Sequence, residues 1–365
     1  MKLSASREAV LKPLQAVVGV VERRQTMPIL SHVLLVVREG VLSISATDME
    51  VELVADGQLD SGEPGEATVP GRKFYDIMRA LPESARVELS LNGERLTLKA
   101  GRSRFTLSTL RAADFPTIDE VAAQQTFELP ARGLRRLLEK TQFSMAQQDV
   151  RYYLNGLLLE TEGGRLRGVA TDGHRLALAE IELEGGVVQD GQRIVPRKGV
   201  LELTRLLGDE GQVTLTLGES HIRAQMEGLR FTSKLIDGRF PDYGRVIPRN
   251  PPHVLTADRA LLRQALQRAA ILSNEKYRGV RLQLQPNGVV IQANNPEQEE
   301  AVETLELEYG GEEMEIGFNV NYLLDALAAV EGEQVQIAVT DGDSSCLITE
   351  PGHEEAQFVV MPMRL

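Results

Sequence analysis

Three unlike segments recur in the same order along this chain of 365 residues, at intervals near one third of its length. The first is a basic helix with apolar periodicity: Arg7 to Arg24, Arg132 to Gln148, and Arg259 to Lys276. The second leads from a strand into a helix: Val69-Pro-Gly-Arg-Lys-Phe-Tyr-Asp-Ile-Met, Val195-Pro-Arg-Lys-Gly-Val-Leu-Glu-Leu, and Gly317-Phe-Asn-Val-Asn-Tyr-Leu-Leu-Asp. The third closes the unit: Ser103-Arg-Phe-Thr-Leu-Ser-Thr-Leu with Asp114-Phe-Pro, Leu229-Arg-Phe-Thr-Ser-Lys-Leu with Arg239-Phe-Pro-Asp, and Phe358-Val-Val-Met-Pro-Met. Solenoid repeats run roughly 20–50 residues. The second segment begins at 69, 195 and 317, so this period is the size of a whole domain. Three similar domains in one chain suggest an arc, and an arc that pairs with its own copy can close into a ring.

The chain carries a net charge of −13, which taken as a whole opposes binding to a polyanion. The distribution points the other way. Five expected helices, 7–24, 72–80, 131–140, 197–207 and 258–278, hold 19 Lys and Arg against 7 Asp and Glu, leaving −25 on the remainder. A general preference of charged residues for exposed helix faces explains charge there, but not its single sign. Each basic helix is amphipathic: Val10, Leu14, Val17 and Val21 fall at helical spacing, as do Leu134, Leu137 and Leu138, and Leu262, Leu266 and Ala269. Arg7, Lys12, Arg132, Arg135, Arg136, Arg259 and Arg263 fall on the other faces.

Between the helices the chain alternates like short strands, as in Val33-Leu-Leu-Val-Val, Leu42-Ser-Ile-Ser-Ala, Val87-Glu-Leu-Ser-Leu and Leu96-Thr-Leu-Lys. Turns at Glu39-Gly40, Asn92-Gly93 and Asn287-Gly288 suit hairpins. The expected class is α+β, with helices on one face of antiparallel sheets. In a ring, those helices would line the inside and the sheets the outside. Polar or Pro-rich junctions near Ala122-Ala-Gln-Gln and Pro248-Arg-Asn-Pro-Pro-His divide the chain into domains 1–124, 125–252 and 253–365. No long flexible linker separates them, so a fixed relation is expected.

Catalytic patterns are missing: no Walker A, Gly-x-Gly-x-x-Gly, His-Glu-x-x-His or Gly-x-Ser-x-Gly is present. His32, His174, His221, His253 and His353 are scattered without metal-ligand spacing, so no metal or cofactor is expected. Asp172 and His174 in Thr171-Asp-Gly-His-Arg-Leu-Ala-Leu have no nucleophile nearby in sequence, which argues against a hydrolase. Cys346, in alternating Ser344-Ser-Cys-Leu-Ile, reads as a small buried strand residue. No apolar run nears the ~20 residues of a membrane span, and the N-terminus lacks a signal-peptide core. A cytoplasmic location is expected. An acidic repeat scaffold that binds only proteins is the alternative, but it has no need of basic helices.

Several long strings carry a resemblance: Gln142-Phe-Ser-Met-Ala-Gln-Gln-Asp-Val-Arg-Tyr-Tyr-Leu-Asn-Gly, Ala170-Thr-Asp-Gly-His-Arg-Leu-Ala, Ile194-Val-Pro-Arg-Lys-Gly, Ile271-Leu-Ser-Asn-Glu-Lys, Asn294-Asn-Pro-Glu-Gln-Glu-Glu and Val359-Val-Met-Pro-Met-Arg-Leu. They run the full length, and the chain resembles the bacterial DNA polymerase III beta subunit family, the sliding clamps. The resemblance implies a head-to-tail homodimeric ring of six clamp domains around duplex DNA. Such a ring tethers the DNA polymerase III core, is opened by an ATP-driven clamp loader, and has no catalytic activity of its own. Carried over by motif, DNA contacts fall on Arg24, Arg72, Gln148, Tyr152 and Tyr153. A pocket for short linear peptides of polymerases, loader and repair factors falls on Leu154, Thr171, Gly173, His174, Arg175, Leu176, Pro241, Arg245, Val246, Ser345, Val359, Met361, Pro362 and Met363. Asp343 departs from the small apolar residue expected at its rim and stays outside the set. The ring interface is expected to set Phe105 and Leu107 against Ile271 and Leu272, with Arg102 and Arg104 facing Glu297, Glu299, Glu300 and Glu303.

Overall fold

The computed structural model describes residues 1–21, 27–118, 121–183 and 189–364. Six α-helices lie among them: α1 Arg7–Val17, α2 Gly71–Ala80, α3 Ala131–Thr141, α4 Arg197–Leu206, α5 Arg259–Ala270 and α6 Val320–Ala329. The three strand-to-helix phrases behave as their sequence predicts. Gly65–Pro70 runs into α2, Gly191–Pro196 into α4 and Met314–Asn319 into α6. The sheets are antiparallel, and the class is α+β.

The repeat extends to single hydrogen bonds. The Arg7 N–H donates to the Ala85 carbonyl, Ala131 to Gly211 and Arg259 to Glu333, at 2.8, 3.0 and 2.8 Å. Each ties the first residue of a helix to the turn after the next helix. Two of these first residues act further. The Arg7 guanidinium donates to the Met78 and Arg79 carbonyls at the end of α2, and Arg259 donates to the Leu327 carbonyl in the last turn of α6. Cations there answer the unpaired carbonyls and the negative pole of the helix.

The chain forms two compact units: Met1–Arg132 with Lys198–Leu235, and Gly133–Arg197 with Ile236–Leu365. In the first, a five-stranded sheet runs Ser61–Glu63, Lys2–Ser6, Arg86–Asn92, Arg95–Ala100, Ser103–Ser108. An eight-stranded sheet joins four strands from the second sequence repeat to four from the first. The joint sets Leu229–Lys234 beside Val51–Gln58, with Phe231 opposite Leu53. The second unit has the same joint inside a nine-stranded sheet, where His353–Val360 lies beside Arg175–Glu182 and Phe358 sits opposite Ala177. Its other sheet has four strands and ends on Glu300–Glu306.

Packing follows the apolar periodicity. α1 lies across Val41–Thr47 and Val51–Gln58 and buries Val10, Leu11, Leu14 and Val17. Full burial of each such side chain stabilises by about 1.5–3 kcal/mol. Leu134, Leu137 and Leu138 of α3 and Leu262, Leu266 and Ala269 of α5 are likewise buried. Cys346 is the small buried strand residue expected, and burial pushes its thiol up to about 12.

Three helices are shorter than their patterns suggested, among them α3, which ends at Thr141 and gives way to a 3-10 turn over Gln142–Ser144 rather than running to Gln148. α1 ends at Val17 and tightens into a 3-10 turn over Val18–Val20, because β-branched valines around Gly19 hold a helix poorly. α5 ends at Ala270. Beyond it the Asn274 side chain accepts from the Lys276 and Tyr277 amides, a local turn that competes with helix. The basic bias survives the trimming: α1 to α5 hold 15 Lys and Arg against 4 Asp and Glu. Not all of that charge faces solvent. Arg7 is buried, a correction to its placement on an outer face, and Arg136 pairs with Glu331. Lys12, Lys73 and Arg132 are exposed.

The first unit buries one carboxylate beside its sheet joint. Glu52 is 2 % exposed, accepts the Ile118 amide at 2.8 Å and has Arg230 at 3.9 Å. Burial pushes its pKa above the usual carboxylate range, outweighing the Ile118 amide, Arg230 and Arg223. The fold therefore favours the protonated form, and that contribution is lost as pH rises through the folded pKa. Glu52→Gln is expected to gain stability relative to the parent as pH rises from about 4 to 7. Urea titrations at several pH values test this, and a pH-independent difference between the two proteins would refute it.

Candidate functional site

The residues singled out for peptide capture converge in the second unit. Leu154, Leu176 and Val359 belong to one buried apolar cluster with Leu158, Val169 and Phe240, and Val246 packs against it half-buried. Leu154 arrives on a 3-10 turn, Leu176 on strand Arg175–Glu182, and Val359 on strand His353–Val360. The loop from Thr171 to Arg175 is held by its own side chains. Thr171 Oγ1 accepts the Gly173 amide at 3.1 Å, and Asp172 Oδ1 accepts those of His174 and Arg175 at 2.9 and 3.1 Å. Gly173 sits at φ +90°, a conformation that favours glycine.

Arg175 is a scaffold residue as much as a surface one. Its guanidinium donates to Asp172, Asp325 and the Phe143 carbonyl, and lies 4.5 Å from the centre of the Tyr322 ring. His174 stacks on the same Tyr322, ring centres 6.4 Å apart. Nothing in the sequence marked Tyr322, because it comes from α6, far along the chain.

The end of the chain docks on this region. The Met361 amide donates to the His174 carbonyl and the Met363 amide to that of Gly317, both at 2.9 Å. Met361 remains 37 % exposed, Pro362 and Met363 are half-buried, and so is Ser345. Opposite runs the connector that carries Pro241, Arg245 and Val246. Pro241 and Arg245 are exposed, and Arg245 pairs with Asp242. Tyr243 anchors this connector: its ring packs on the apolar cluster, and its hydroxyl donates to Glu160 and accepts from Arg167. Burial and Glu160 push the Tyr243 pKa up to about 12, so it keeps its proton. The result is a buried apolar cluster with half-buried Val246, Pro362 and Met363 and exposed Met361 at its margin, side chains of a kind that adapt to an apolar peptide group.

The positions singled out for DNA are divided. Arg24 lies outside the described residues. Arg72 turns back on the chain and donates twice to the Val21 carbonyl, at 2.7 and 3.1 Å. Gln148 is exposed at φ +56° on a loop in which Arg151 donates to Asp149, holding that carboxyl at about 2. Val150 on this loop is 94 % exposed, a residue the sequence reading passed over. Tyr152 is 56 % exposed and meets Tyr153 edge-on, whereas Tyr153 packs against the apolar cluster.

Most of the positions singled out for a ring interface lie on or beside two edge strands. Arg104, Phe105 and Leu107 are on edge strand Ser103–Ser108, with Arg102 in the turn before it. Leu107 is buried within its own unit. Glu300 and Glu303 are on edge strand Glu300–Glu306, and Glu297 and Glu299 precede it. Glu303 already accepts two bonds from Arg268. Ile271 is 75 % exposed at the end of α5, with Leu272 half-buried beside it. Val302, 55 % exposed on the edge, escaped the sequence reading. Its repeat counterparts Val54 and Leu178 are covered by a neighbouring strand.

Three copies of one α+β unit, an apolar cluster with adaptable methionines at its margin and, among the described residues, two unpaired edge strands in equivalent positions define a repeat-built binding subunit. Comparison with known proteins gives its family. Models of the DNA polymerase III beta subunit match over residues 1–119 (N-terminal domain), 128–242 (central domain) and 244–364 (C-terminal domain). The beta sliding clamps of Pseudomonas putida and Escherichia coli K12 are 55 % and 54 % identical, each aligned over 100 % of both chains. The crystal structure of the DNA polymerase III subunit beta from Pseudomonas aeruginosa superposes with a TM-score of 0.98 at 54 % identity, covering 100 % of both chains. A second crystal structure of a DNA polymerase III subunit beta sliding clamp from Pseudomonas aeruginosa, bound to griselimycin, gives 0.97 at 54 % identity and the same coverage. The chain belongs to the DNA polymerase III beta subunit family, the sliding clamps, which are non-catalytic processivity factors of replication.

Proposed function

We propose that this chain acts as a head-to-tail homodimer, a ring of six clamp domains that encircles duplex DNA and holds polymerase III and other partners on it. Its two open edges carry the reading. Strand Ser103–Ser108 is the repeat counterpart of Leu229–Lys234 and His353–Val360; Glu300–Glu306 is the counterpart of Val51–Gln58 and Arg175–Glu182. The inner counterparts are paired with each other, and among the described residues the outer two have no strand on that side. A second copy supplies both, so the contact closes. By this correspondence Arg104 faces Val302 of the partner subunit and Phe105 faces Ala301 of the partner subunit. The arginines Arg102 and Arg104 then meet an edge rich in glutamate, an apolar contact with a charged rim.

Within this reading the domains are 1–124, 125–252 and 253–365; the family matches over 1–119, 128–242 and 244–364 support three domains in that order, with the second border nearer 243. The basic bias of α1 to α5 supports sequence-independent attraction to phosphates, with Arg24, Arg72, Gln148, Tyr152 and Tyr153 as contacts. Retention comes from encirclement rather than affinity. The apolar recess around Leu154, Leu176, Val246, Val359 and Met361 takes short linear peptides of the polymerase, the clamp loader and repair factors. Work of this kind belongs in the bacterial cytoplasm, and among the described residues no helix is long and apolar enough to cross a membrane.

The test is topological. The protein is loaded onto nicked circular DNA with a clamp loader and ATP, and the complex is passed over a sizing column before and after linearisation. Retention on the circle that disappears on linearisation is expected. Equal retention on both forms means ordinary binding, and no retention with a competent loader favours a scaffold that binds only proteins.

A further inference from the structure

The first unit contains a cleft of about 400 Å³, within the range of ligand sites, at the joint between strands Val51–Gln58 and Leu229–Lys234. Its lining is the repeat counterpart of the peptide recess. Thr47, Met49, Pro116, Val121, His221 and Lys234 line it and correspond to Thr171, Gly173, Pro241, Val246, Ser345 and Met361. Sheet register and hydrogen bonds fix the correspondence. The Lys234 amide donates to Glu50 O at 2.8 Å, as Met361 donates to His174 O at 2.9 Å. Thr47 Oγ1 accepts the Met49 amide at 3.0 Å, as Thr171 accepts that of Gly173, and Asp48 accepts the next two amides, as Asp172 does. The supporting apolar residues recur too: Leu30, Leu34 and Phe115 stand for Leu154, Leu158 and Phe240.

The chemistry differs at three points. A lysine stands where the other site has a methionine, a histidine where it has a serine, and Met49 where it has glycine. Met49 is held at φ +77°, a conformation unfavourable for a side chain, and remains 41 % exposed beside the cleft. An apolar residue kept at a strained position on a recess wall points to contact with a ligand rather than to packing. Lys234 is exposed at the cleft and adds a cation, while burial, Lys234 and Arg223 together hold His221 toward its neutral form. Glu219 on the hairpin is the acid on the rim, and Glu52 is turned to the Ile118 amide.

We infer that this cleft is a second docking site, taking an extended peptide segment that places an apolar side chain against Met49 and Val121 and a carboxylate against Lys234. The inference builds on the peptide reading of the first recess, but the two are read by separate probes. The full-length protein is labelled on its methionine methyl groups. It is titrated to millimolar concentration with a mixture of pentapeptides containing Leu followed by Asp, the other positions being Gly, Ala or Ser. A control mixture has Lys in place of Asp. The Met49 methyl resonance reports on the cleft and the Met361 resonance on the first recess. The Met49 signal is expected to move with the Asp mixture and not with the Lys mixture. Lys234→Met is expected to weaken that response about fivefold, the scale of one partly exposed ion pair. A Met49 signal that stays still, answers both mixtures alike, or is indifferent to Lys234→Met overturns the inference. Movement of Met361 alone overturns it as well and leaves the first recess standing.

Discussion

Replacing Ile271 and Leu272 together by alanine is expected to raise the dissociation constant of the proposed dimer by about two orders of magnitude while the single chain keeps its fold. Ile271 is 75 % exposed and Leu272 half-buried in the single chain, so neither contributes much to folding. Both follow α5, which packs against the open-edge strand Glu300–Glu306. In the proposed ring they are expected to become buried opposite Phe105. Truncating two aliphatic side chains there costs about 3 kcal/mol of association, and about 1.4 kcal/mol is a factor of ten. Sedimentation across a dilution series, with thermal unfolding as the folding control, measures this. A double variant still dimeric at nanomolar concentration would remove these residues from the interface. The strand register has its own check: a chain with both Arg104→Cys and Val302→Cys should form a covalent dimer under mild oxidation, because directly opposed strand residues lie within disulfide reach.

Much of this architecture is legible in the sequence, and the illegible parts share a cause. The threefold repeat, the strand-to-helix phrases and the apolar stripes of α3 and α5 are local patterns, and the structure keeps them. What fails is inference about which partner a side chain finds. Arg7 and Arg259 looked like members of an outer basic face, yet both turn onto the end of a helix some seventy residues away. Leu107 alternates like an interface residue and is buried at home. Tyr322 supports His174 and Arg175 from another part of the chain. Val302 reads as an ordinary strand valine until the sheet order shows that its counterparts Val54 and Leu178 are covered. Helix ends fail for a different reason: Asn274 offers the backbone a turn that competes with one more helical bond, and the balance is a fraction of a kcal/mol.

Gly57→Ala is expected to destabilise the first unit by about 3 kcal/mol, at the upper end for overpacking. The reason begins with Pro13, which lies inside α1 and has no N–H to give the carbonyl four residues earlier. That carbonyl belongs to Ala9. Strand Val51–Gln58 comes so close to it that a Cβ built on Gly57 would lie 2.0 Å from the Ala9 oxygen and 3.3 Å from Pro13. Both sides of the contact are backbone, so no rotamer change relieves it; the helix or the strand must move. Moving α1 off the sheet would uncover Val10, Leu14 and Val17, all fully buried, which is why the effect should be large. Gly310→Ala is the control, since a Cβ there meets open space and its φ is outside the positive range. It should change stability by less than about 0.5 kcal/mol. Chemical denaturation of the two variants decides the matter. If Gly57→Ala is as stable as Gly310→Ala, α1 is free to shift on its sheet, and the close approach of helix and strand is not what holds this unit together.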